Sequence, residues 1–304
     1  INIRSPLLRN KAYIILGILL TIALPLFAKK QARPAKLTTE QQQQFSYYWY
    51  AARQAIEDER YADAYTLLQF CNAIKPNDGQ TLYYLGVMYK GLGRAEDAQQ
   101  AWEKSYKTEP KNAALLDQML RMYLAKEEWK KALEIQDAID DINGYDAYSA
   151  ITRYRIYAYM KQPKKALKAI DDYLATDPDN LRFLIFRIEI LDQMKSKPKV
   201  LYAAFDRVLE VDPYNLMVLN NYAWTLATNN GDLTKAEQMS AITIREEPDN
   251  PTFLDTYGWI MHLKGQDELA LFYLNRALWN LKNSSQIEST RTEVEKHIRI
   301  VNGK

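Results

Sequence analysis

The sequence predicts an all-α protein, a solenoid of about seven helical hairpins closed by a C-terminal capping helix, and three observations carry that prediction. The first is the stretch Gly79–Pro110. Leu82, Leu85, Gly86 and Tyr89 fall at helical spacing, a Gly-Leu-Gly-Arg turn follows, and Ala98, Trp102 and Ser105 resume the spacing. Each half is an amphipathic helix with one buried stripe, and Pro110 ends the second because it has no backbone donor to continue it. The second observation is recurrence. The Pro110 position returns as Pro76, Gly144, Pro178, Pro213 and Pro248, in steps of 34, 34, 34, 35 and 35 residues. The third is a small residue at one fixed place. Ala98 has counterparts in Ala64, Ala132, Ala166, Ala236 and Ala270, where a small side chain lets paired helices approach closely. A hairpin of this kind cannot bury its stripe alone, so the repeats must stack.

The period, with Tyr123 and Tyr157 in the place of Tyr89, resembles a tetratricopeptide-repeat (TPR) array over about residues 45–282. That resemblance implies a right-handed superhelix and a scaffold that binds peptide segments or other proteins. Departures are Gly144 in a proline place, Leu201 in the small place of the fifth hairpin, and Arg153 and Arg187 in a normally apolar place. The pair Leu219–Trp224 and Leu254–Trp259 resembles exported members of the family from Gram-negative bacteria. The carboxylate clamp of some members uses Lys and Asn at set groove positions. Here those places hold Trp49, Arg53 and Tyr84, so the clamp is not carried over.

Taken in order, residues 1–28 hold Arg4, Arg9 and Lys11 and then the uncharged run Ala12–Phe27. A basic leader, a short apolar core, Pro25 and Ala28 read as a signal peptide cleaved after Ala28. The alternative is an uncleaved membrane tether through residues 12–27, short of the ~20 apolar residues a spanning helix wants. Either reading places the repeats in the periplasm, soluble or tethered to the inner membrane. Residues 29–44, basic and then polar, read as a flexible tether that meets the first helix near Thr39 and Glu40. Seven hairpins fill 45–282. Pro-Asp-Asn or Pro-Tyr-Asn punctuation at Pro178, Pro213 and Pro248 places an Asn to cap the next helix. Asn229–Asp232 makes a longer turn in the sixth hairpin, and residues 283–304 contain the charged capping helix.

Composition excludes several functions. With 40 basic and 38 acidic residues there is no basic stripe, so nucleic acid is not an expected partner. Cys71 is the only cysteine, so no intrachain disulfide forms. It sits at a small place between helices, where a buried thiol is expected rather than a nucleophile. His262 and His297 lie far apart in sequence and assemble no metal set, and no phosphate loop or nucleotide fingerprint occurs. The acidic set Asp137, Asp140, Asp141 and Asp146 reads as a solvated helix end and turn. No enzyme, cofactor or metal is expected.

What remains is a surface. One residue after the small place on each first helix faces the concave groove, and that position reads Arg53, Val87, Arg121, Arg155, Glu189, Trp224, Trp259. Trp49, Tyr83, Lys90 and Tyr148 flank it in the first half, and Asn220, Asp255 and His262 in the second. Arginine and aromatic residues dominate interface energetics, so Trp49, Arg53, Tyr83, Lys90, Arg121, Tyr148, Arg155, Trp224 and Trp259 form the expected partner-binding set. The plainer alternative is that the arginines solubilise and the tryptophans pack between hairpins.

Overall fold

A computed structural model describes residues 36–281 and 288–303, in two compact units divided after Pro76. The segments read as signal peptide or membrane tether lie outside the described residues. Fifteen α-helices and no strands occur among the described residues, so the protein is an all-α repeat solenoid. None of those helices is long and apolar enough to cross a membrane.

The first unit holds one hairpin, α1 (Thr39–Glu57) and α2 (Tyr61–Ile74). Thr38 and Gln41 close a capping box at the start of α1. The tether read over 29–44 therefore gives way to helix at Thr39, six residues before the expected start of the array. Ala52, Ala55, Ala64, Leu68 and Cys71 are the buried residues of this hairpin.

The second unit begins with α3 (Gly79–Gly91), α4 (Ala95–Thr108), α5 (Ala113–Ala125), α6 (Trp129–Asn143), α7 (Ala147–Tyr159) and α8 (Pro163–Leu174). It continues with α9 (Leu181–Gln193), α10 (Pro198–Val211), α11 (Leu216–Thr228), α12 (Leu233–Glu246), α13 (Pro251–Leu263) and α14 (Asp267–Leu281), and ends with α15 (Glu288–Val301). Every first helix of a hairpin here starts on an Asx cap. Asp78, Asn112, Asp146, Asn180, Asn215 and Asn250 each accept a hydrogen bond from a backbone N–H two or three residues on. Such a cap is worth ~1 kcal/mol. Second helices α4, α6, α8 and α10 have no side-chain cap.

The turn inside each hairpin is equally regular. Glu59, Gly93, Glu127, Lys161, Lys195, Asn230 and Gly265 all take positive φ, at matching positions. Five of these turns leave three residues between helices, as in Asp58–Arg60; the turns Met194–Lys197 and Asn229–Asp232 leave four. The 35-residue steps of the fifth and sixth repeats arise there, and the helices are not shifted. Leu201 accordingly occupies the small place of the fifth hairpin as a buried residue, alongside Ala98, Ala132, Ala166, Ala236 and Ala270.

Close approach of paired helices centres on glycine as well as alanine. A Cβ on Gly86 would lie 2.2 Å from Trp102 Nε1, and the indole donates to the Tyr83 carbonyl at 3.1 Å. Gly258 has the same role against Leu274. The two arginines in apolar places are satisfied by carboxylates on the preceding helix. Arg153 pairs with Asp137 at 2.6 Å and Asp140 at 2.5 Å, and Arg187 with Asp171 at 2.8 Å. Burial pulls the Arg153 pKa down, yet the hydrogen bonds it donates to Asp140 and Asp137 outweigh it and the group stays charged. Asp140 is thus a mostly buried acceptor and not a solvated end, and Asp146 is the α7 cap.

Candidate functional site

The nine residues expected to bind a partner fall into separate places. Trp49 and Arg53 lie on α1 in the first unit, both half-buried, with Trp49 stacked on Phe45 at 6.4 Å. In the second unit, Tyr83 is half-buried against Tyr84, and burial raises its pKa. Lys90 donates to Gln118 at 2.9 Å and lies 6.0 Å from the Trp102 ring. Arg121 is paired along its own helix with Asp117 at 3.0 Å. A depression of about 390 Å³ runs between Lys90, Trp102, Arg121 and Lys126.

Tyr148 and Arg155 line a larger cleft of about 780 Å³ formed by α5, α6, α7 and the start of α9. Its apolar wall is a parallel stack of Trp129 on Tyr159, ring centroids 5.0 Å apart and tilted by 3°. Tyr159 is 70% exposed and Tyr148 57%, large aromatic areas for a folded surface. Arg155 and Arg182 add two exposed guanidinium groups, and Arg182 leans over Phe186 at 5.4 Å. Neither arginine pairs with a carboxylate among the described residues; Glu127 is the acidic residue on the rim. An aromatic slab beside unmatched cations suits a segment that carries both apolar side chains and carboxylates. Sequence reasoning missed Trp129, Tyr159 and Arg182. The first two flank a hairpin turn on successive hairpins, and that flanking position is the signal that would have found them.

Trp224 and Trp259 belong to a different setting. The ring of His297, from α15, sits 4.5 Å from the Trp259 ring and 5.6 Å from Trp224. His297 Nδ1 lies 2.8 Å from Asp255 Oδ1, and their side chains are only 5% and 13% exposed. His262, 5.2 Å from Trp259, is bonded to Asp267 at 2.7 Å. The two histidines that are distant in sequence therefore meet on one indole. The stripe Val294, His297, Val301, at helical spacing on an otherwise charged segment, was the available signal.

Comparison with known proteins places the chain. The sequence pattern of the Tetratricopeptide repeat matches residues 204–238, from the middle of α10 into α12. A TPR repeat-containing protein of Pseudomonas aeruginosa is 30% identical over 117 residues, which are 38% of this chain and 20% of that protein. A human protein O-mannosyl-transferase is 21% identical over 215 residues, 70% of this chain and 24% of the relative. The chain thus spans a quarter or less of the length of these two relatives. A crystal structure of a tetratricopeptide repeat protein from Parabacteroides merdae is 15% identical, covering 84% of this chain and 99% of the other, with a TM-score of 0.42. Hairpins at a step of 34 or 35 residues, a buried residue at one place in each that is alanine in six of the seven, and a direct match over one full repeat converge on a tetratricopeptide-repeat array, a fold that serves as a scaffold for protein interaction.

Proposed function

We propose that the chain is an exported, non-enzymatic scaffold that holds an extended or helical segment of a partner protein along the concave face of its repeats. The observation that carries this reading is the cleft at Tyr148 and Arg155, where exposed stacked aromatic rings adjoin two arginines that no carboxylate of the described residues neutralises. Aromatic contact there supplies holding energy, while exposed charges, worth ~0–1 kcal/mol per pair, steer and orient the partner. Arg121, Lys90 and Tyr83 extend the same chemistry toward α3, and Trp49 and Arg53 offer it separately on α1. Export rests on the basic leader and apolar run of residues 1–28. Retention of that run would make the chain an inner-membrane-anchored subunit of an envelope assembly.

The test is capture from envelope fractions of a Gram-negative host with the wild-type chain and with an Arg155→Glu, Arg182→Glu double variant. A protein held by the wild type and lost with the double variant supports the cleft. Equal recovery with both removes it as the binding site. Fractionation with N-terminal sequencing settles export: a mature chain beginning at Lys29 marks the soluble scaffold, an intact apolar run in the inner membrane marks the anchored subunit, and cytosolic retention overturns both.

A further inference from the structure

The last two hairpins carry a concave face that the chain itself covers. A helix that only closed the end of the array would need to pack on the final hairpin, α13 and α14. Val294 does so, in a buried cluster with Leu254, Ala277 and Leu281. The rest of α15 goes further. His297 reaches the Trp224 ring on α11, one hairpin back, and Val301 joins the buried cluster that includes Leu226, Ala227, Ile260 and Met261. The helix packs chiefly on α14 and also touches α13, and it sends the His297 ring against both Trp259 on α13 and Trp224 on α11.

Its hold is narrow. Val294, His297 and Val301 are the buried residues of α15 and Ile298 is partly buried beside them, while Glu293, Glu295, Lys296 and Arg299 are exposed. At the centre of the contact is a polar ring with one bond to Asp255, where a fully apolar cap would place an aliphatic side chain. The match is also incomplete. Asn220 precedes Trp224 by one helical turn on α11, so it shares that side of the helix, and its Oδ1 is buried with no hydrogen-bond partner. An occupant that offers a donor at that point would satisfy the face better than α15 does.

We propose that the face formed by Trp224, Asp255 and Trp259 is a helix-binding site held in cis by α15, and that an amphipathic partner helix engages it by replacing α15. This rests on the reading of the concave face as the partner's surface, but it concerns the end of the array away from the Arg155 cleft and stands or falls independently of that cleft. The partner helix is specified by the occupant it replaces. It presents an apolar residue, a flat hydrogen-bonding ring three positions later and a second apolar residue four beyond that, on a face otherwise polar.

Two measurements on the full chain test the proposal. In the wild type, amide hydrogen exchange of α15 should run at least roughly tenfold faster than that of α13 and α14, because the helix opens without the hairpins beneath it. Exchange of all three helices at one common rate would overturn the proposal, since α15 would then be an integral part of the last hairpin. The second measurement uses a labelled synthetic peptide of residues Glu288–Gly303 added to wild type and to His297→Ala. Occupancy in cis lowers apparent affinity in proportion to the open fraction. The peptide should therefore bind the His297→Ala chain at least about tenfold more tightly than the wild type, and a peptide with alanine in place of His297 should lose that gain. Equal affinity for both chains, or no binding to a His297→Ala chain that keeps its helical signal, would also overturn it. If that variant fails to fold, the exchange result on the wild type decides alone.

Discussion

Two stretches of the surface of the second unit can be set side by side. At α7 and α9 the groove position and its neighbours present Tyr148, Arg155 and Arg182 to solvent, with the buried Thr152 and Ile156 lining the cleft beneath them. At α11 and α13 the same register presents two indoles, and α15 lies over them with His297 between. The repeat geometry is common to both, so the difference lies in the side chains it displays. The two indoles are covered by the chain's own helix, whereas the cleft at α7 leaves Tyr148, Tyr159 and two guanidinium groups open to solvent.

That contrast can be broken or sharpened by substitution. The largest effect belongs to Trp102, in the core beside the smaller depression at Lys90 and Arg121. Trp102→Ala removes a buried indole that fills the space over Gly86 and bonds the Tyr83 carbonyl, and should cost ~3–5 kcal/mol in chemical denaturation. Trp259→Ala should cost less, ~1–2 kcal/mol, because its ring is half-buried and contacts a helix that can leave. A thermal melt in which Trp259→Ala is as damaging as Trp102→Ala would mean that the covered face is core, and the contrast would collapse. Smallest of all, Arg155→Glu with Arg182→Glu should leave the denaturation midpoint within ~0.5 kcal/mol of wild type. A clear loss of stability there would show that the two arginines have a structural role and are not held ready for a partner.

Much of the fold was legible in the sequence because its determinants are local and periodic. The small place from Ala64 to Ala270, the proline stops and the Asx caps each act within a few residues, and each recurs. The fifth hairpin resisted reading because Leu201 stands where alanine was expected. Leu201 is buried as the fourth residue of its helix, as Ala98 and Ala236 are of theirs, and the extra residue in the preceding turn is what periodicity alone does not locate. The site was less legible for a different reason. Trp129 meets Tyr159 and His297 meets Trp224 only through stacking of successive hairpins, over separations that no local pattern encodes. Asp140, too, looked like a solvated end until Arg153 of the next hairpin was placed against it.

The longer turns at Met194–Lys197 and Asn229–Asp232 have a practical consequence for anyone who wishes to add sequence to this molecule. They show that the array absorbs an additional residue at the tip of a hairpin while the helices on either side keep their burial pattern. The joins between hairpins offer no such slack, since the Asn or Asp after each proline is committed to capping the next helix. A reporter domain or epitope grafted at 194–197, where the turn supplies no side-chain cap to α10 and the closure cost grows only slowly with length, should therefore be carried without loss of the stack. The same graft at 212–215 would remove the Asn215 cap and part the fifth hairpin from the sixth.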